Sequence, residues 1–68
     1  MKEEEIRQAA AMYALVAEMN AVLAEIEGMK AENSQRYIND ESLAYAEEHF
    51  AYMRDNLKRI AARLRDEI

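Results

Sequence analysis

The chain has no cysteine, no proline and no tryptophan, and it has one glycine and one histidine in 68 residues. Without cysteine it forms neither disulfides nor thiolate metal sites, two of the usual supports of so small a domain. Without proline nothing inside the chain has to break a helix. No apolar run approaches the roughly 20 residues of a bilayer span, and the start, Met1-Lys2-Glu3-Glu4-Glu5, lacks the cationic lead and apolar stretch of a signal peptide. The expectation is a cytoplasmic protein without a membrane segment. What is present is 51% apolar and 34% charged residues, with 13 alanines, the composition of surface-facing helices. So short a chain cannot bury a large core by itself, which leaves association with another chain as the remaining support.

The charge is one-sided. Nine Lys and Arg stand against 14 Asp and Glu, a net charge of −5. Binding through nucleic-acid phosphates depends on cationic surface, so this balance argues against a nucleic-acid partner. The cations that exist crowd the C-terminus, at Arg54, Lys58, Arg59, Arg63 and Arg65. They could form a small anion or RNA site. Cations also stabilise the last turns of a helix, however, and an antiparallel fold would lay these beside Glu3, Glu4 and Glu5. No aromatic residues are interleaved with them for base stacking.

Apolar periodicity predicts two helices. Met12, Leu15, Met19, Val22, Ile26 and Met29 follow a 3,4 alternation, and Leu43, Ala46, Phe50, Met53, Leu57, Ile60 and Leu64 repeat it. Between them lies Glu32 to Asp40, dense in turn and cap residues. The chain is therefore expected to be one all-α domain over 1–68, with helix 1 at about 3–31, a turn at about 32–39 and helix 2 at about 40–66. Asn39 or Asp40 would cap helix 2, with Asp40 and Glu41 in its first turn. Folded back as an antiparallel hairpin, the seams pair residues whose numbers add to 72, from Met29 with Leu43 to Met12 with Ile60.

One flank of helix 1 stays apolar beyond what a hairpin covers. Ile6, Ala9, Tyr13, Val16 and Leu23 form a second seam, with Asn20 in its gap. Such a surface predicts a homodimer that completes a four-helix bundle, with Asn20 setting its register. A third stripe, Ala10, Ala14, Ala17, Ala21, Ala24, Gly28 and Ala31, has two readings. It is either an exposed run of good helix formers or the site of a close helix contact.

Catalytic constellations are absent from the pattern. His49, expected to bond Glu25 across the hairpin, has no Glu-x-x-His or His-Glu-x-x-His context, and no Gly-rich phosphate loop is present. The expectation is a non-enzyme without cofactor, metal or small-molecule substrate. The turn end is the most distinctive surface: Asn33, Arg36 and Tyr37 gather near Tyr45 and Tyr52, and Arg and Tyr are common anchors of protein interfaces. The alternative there is that the Tyr rings cover the hairpin end while the amides satisfy free helix carbonyls.

The run Gly28-Met29-Lys30-Ala31-Glu32-Asn33, Arg36, and Ser42-Leu43-Ala44-Tyr45 with Glu47 or Glu48 and Phe50 resembles a segment of short, poorly characterised helical-hairpin accessory proteins of temperate phages and prophages. The likeness covers about a third of the chain, and many such sequences carry Gly shortly before the Ser-x-Ala-Tyr run, where this one has Asp40-Glu41. The resemblance implies a protein of the bacterial host cytoplasm that binds a host or phage protein. Two other functions remain in view: an RNA-binding hairpin dimer, similar in architecture to the plasmid copy-number regulator, and an acidic inhibitor of a host defence or nucleic-acid enzyme.

Overall fold

Thirty-seven consecutive residues form one helix, α1, Lys2–Ile38, in the computed structural model, which describes residues 2–67. A connection over 39–46 leads to α2, Glu47–Glu67. The described residues contain no strand, and the two helices pack against each other as an all-helical hairpin. At about 1.5 Å per residue, α1 accounts for the 59 Å long axis of the molecule.

Both helices end where local chemistry ends them, and neither boundary lies where polar composition places it. α1 runs past 31 to Ile38, and α2 starts at Glu47 instead of Asp40. Asp40 is not an N-cap. It adopts φ 59°, the left-handed conformation, just beyond α1. Its N–H donates to Tyr37 O at 3.2 Å and the N–H of Glu41 donates to Arg36 O at 2.8 Å. That pair of bonds is a Schellman C-cap with Asp40 in the position usually held by glycine.

The segment that follows is tied to α1 by side chains. Asn33 Oδ1 accepts the N–H of Ala44 at 3.1 Å and of Tyr45 at 3.0 Å, while Asn33 Nδ2 donates to Tyr45 O at 2.9 Å. Arg36 Nη1 donates to Ser42 O at 3.4 Å. Ser42, Ala44 and Tyr45 thereby have backbone partners outside a helix. α2 then starts with Ala46 as its N-cap, and the Ala46 N–H donates to His49 Nδ1 at 2.9 Å. This is one arm of a capping box, with His49 in the place of the usual Glu or Gln. Glu47 and Glu48 occupy the first turn, where the helix dipole favours them.

The core is thin. Leu15, Met29, Met53 and Ile60 are buried, and Met12, Met19, Val22, Ile26, Phe50, Leu57 and Leu64 are half-buried on the same seam. Leu43 and Ala46, expected in the seam, instead lie exposed in the connection because the hairpin turns later than the polar composition implies. The register moves with the turn. Arg63 of α2 pairs with Glu18 and the Gln8 side chain donates to the Glu67 carbonyl, while Asn33 and Arg36 bond the backbone of the connection at Tyr45 and Ser42. Those pairs add to 81, 75, 78 and 78, all above the expected 72, yet the buried residues are still seam residues.

Candidate functional site

The flank of α1 that the sequence marks for dimerisation is uncovered. Ile6 is 67% exposed, Tyr13 76% and Leu23 43%; Ala9 and Asn20 are exposed and Val16 is half-buried. Between Ala9, Met12, Tyr13 and Val16 the surface sinks into a hollow of about 190 Å³, lined by α1 alone. Residues at i, i+3, i+4 and i+7 are the four that frame the hole for a neighbouring helix's knob in coiled-coil packing.

The five residues at the turn end divide three ways. Asn33 and Arg36 are taken up by the fold: Asn33 clamps the connection, and Arg36 also pairs with Glu32 at 2.7 Å. Tyr37 stands apart, 80% exposed beside Ile38 on the last turn of α1. Tyr45 and Tyr52 come together. They line a hollow of about 240 Å³ with Glu25, Met29, Glu48, His49 and Met53. The Tyr45 and His49 rings meet edge to face, with centroids 5.7 Å apart. Sequence reasoning did not include Glu48 or His49 in this group. The signal was their spacing, because Tyr45, Glu48, His49 and Tyr52 sit at i, i+3, i+4 and i+7.

His49 does not bond Glu25 as expected, since its Nδ1 accepts the Ala46 N–H. Among the described residues the C-terminal cations form no ion pair with Glu3, Glu4 or Glu5. Arg63 reaches Glu18 at 3.6 Å, Arg54 lies 3.6 Å from Asp55, and Arg59 donates to Asn56. At the open end Glu4 and Glu5 share a hollow with Gln8, Asp66 and Glu67, and Gln8 Nε2 donates to the Glu67 carbonyl. That end of the hairpin is therefore acidic. Among the described residues no three His, Asp or Glu side chains are placed to hold a metal ion.

α1 is, by length and composition, long and apolar enough to cross a membrane, although no single unbroken apolar run in it is that long. Most of that apolar stretch is not covered by α2. Compared with family models, with curated proteins and with solved structures, the chain matches none.

Proposed function

We propose that the chain is a non-enzymatic helical-hairpin subunit that pairs with a second copy along α1, forming a four-helix bundle that works by binding another protein. The uncovered stripe of α1 with its four-residue hole carries this reading. With four buried side chains among the described residues, the two-helix hairpin has little core of its own, and burying a large apolar side chain contributes about 1.5–3 kcal/mol. Ile6, Tyr13 and Leu23 on each copy are the surface from which the missing core would come.

Lipid is a poorer cover for the same helix. An Asp at the centre of a spanning helix costs about 2.5–3.5 kcal/mol and each Leu, Ile or Val returns about 0.3–0.6. Glu18 and Glu25 are acidic residues of the same kind. Leu15, Val16, Val22, Leu23 and Ile26 between and around them at most offset one of the two. A helix partner buries the stripe while leaving both carboxylates in water.

The phage and prophage resemblance supports an accessory role in an infected bacterium, exercised on a host or phage protein. Light scattering coupled to size exclusion tests the assembly: the expected mass at micromolar concentration is twice 7.9 kDa, and the Tyr13→Glu, Leu23→Glu double variant should run as a monomer that melts at a lower temperature. A wild-type monomer sinks the reading. The RNA alternative predicts binding that weakens with salt and is lost on charge reversal at Arg59 and Arg63.

A further inference from the structure

The hollow between Tyr45 and Tyr52 has features that the dimer does not use. Its volume, about 240 Å³, is below the roughly 300–1,000 Å³ of pockets that enclose a drug-sized ligand. It fits one side chain. Met29 and Met53, both buried, form its floor, and the two tyrosines stand on its rim with Glu25 from α1 and Glu48 from α2. Among the described residues neither Glu25 nor Glu48 forms an ion pair, whereas Glu18, Glu27 and Glu32 each do. Two phenol rings and two unneutralised carboxylates around an apolar floor are complementary to a cation with a flat or apolar body. Aromatic faces attract such a group electrostatically, and guanidinium stacks on them better than ammonium does.

Among the residues lining the hollow only His49 carries a basic nitrogen, and its Nδ1 is taken up by the Ala46 N–H. One wall is also set in advance, because Asn33 holds the Tyr45 backbone at both its N–H and its C=O; a wall already in place costs less to order on binding. At 100° per residue Glu25 lies on the flank of α1 away from Tyr13 and Val16, so pairing of α1 with a second copy leaves the hollow open.

We infer that the Tyr45, Tyr52, Glu25 and Glu48 hollow is a receptor for a basic side chain, arginine above all, presented by the partner protein. The inference rests on the protein-binding reading and names the chemistry of that partner.

The test is a nuclear magnetic resonance titration of the full chain with an acetylated, amidated Gly-Arg-Gly peptide and its citrulline counterpart, which keeps the shape and loses the charge. The expected result is saturable movement of the Tyr45, His49 and Tyr52 signals by the arginine peptide, abolished near 1 M salt where charges are screened within about 3 Å. Citrulline should leave them in place. Tyr52→Ala should weaken binding about two- to fivefold, the range for an exposed cation–π contact, and Glu48→Gln should weaken it as well. Tyr37→Ala, which removes a still more exposed ring outside the hollow, should bind as the wild type does. Unmoved signals, equal movement by citrulline, or undiminished binding by folded Tyr52→Ala and Glu48→Gln variants would overturn the inference. If the chain dimerises and captures a protein yet ignores arginine, the cation site is refuted and the protein-binding reading stands.

Discussion

Asn33 takes up both backbone polar groups of Tyr45: Nδ2 donates to its C=O at 2.9 Å, and Oδ1 accepts its N–H at 3.0 Å. A third bond from the Ala44 N–H completes the clamp. The side chain therefore does for the connection what a β-partner strand would do, and it fixes where α2 can begin. Asn33→Ala removes all three bonds at a half-buried position and should cost about 1–3 kcal/mol. Asn33→Asp keeps the acceptor but turns an oxygen toward the Tyr45 carbonyl, so it should lie between the two. Urea unfolding at fixed protein concentration measures the series, and amide exchange at Ala44 and Tyr45 should quicken first. An Asn33→Ala protein as stable as the wild type would remove the clamp from the account.

Asp40 occupies a left-handed position at φ 59° without being glycine. The conformation costs an L-residue roughly 1–2 kcal/mol, less for Asp and Asn than for others, and a carboxylate beside a helix C-terminus is also unfavourable. Asp40→Gly should therefore stabilise the hairpin by about 1 kcal/mol, raising the melting temperature by roughly 4–8 °C for a domain of this size. Asp40→Val should do the opposite. If glycine fails to stabilise, the C-cap geometry at this residue is not what limits the turn.

Much of the architecture is legible in apolar spacing alone. Leu15, Met29, Met53 and Ile60, the four buried residues among those described, all lie on the two heptad seams. Register is not legible there, because a heptad pattern slid by seven residues presents the same side chains. What selects the register is a bond from Asn33 to residues 11 and 12 positions away, together with a left-handed Asp, and neither has a periodic signature. For the same reason Asn39 and Asp40 read as the start of a helix although they end one. At the candidate site, Tyr45 and Tyr52 stand out as aromatic residues on a polar face. Glu48 and His49 are charged and polar residues among many, and only the fold sets them beside Glu25 from the other helix.

Gly28 lies within α1, and a Cβ built on it meets nothing within 4 Å. No part of the hairpin requires glycine there. Glycine in a helix interior is about 0.8–1.0 kcal/mol worse than alanine, so Gly28→Ala should stabilise the protein by about that amount. The measurement also separates the two readings of the alanine stripe. Stabilisation with unchanged mass in solution means that the stripe from Ala10 to Ala31 faces water. A Gly28→Ala protein that loses stability or changes its mass would show that another chain approaches the stripe closely.

The proposed pairing of α1 with a second copy has a preferred direction. In a parallel pair the Glu5 side chains of both copies, at the edge of the stripe, would meet with Glu3 and Glu4 behind them at two aligned helix N-termini, and like charges 4 Å apart repel by about 1 kcal/mol even in water. An antiparallel pair separates them. With its axis between Ala14 and Leu15, it sets Ile6 against Leu23, Tyr13 against Val16, and the bulkier Asn20 amide against the small Ala9; Lys2 then lies opposite Glu27. Because the chain has no cysteine, engineered thiols can report this directly. Ile6→Cys mixed with Leu23→Cys should cross-link through a short bifunctional thiol reagent, and neither variant alone should do so. Efficient cross-linking of Ile6→Cys by itself requires the parallel arrangement, because only there do two copies of residue 6 meet.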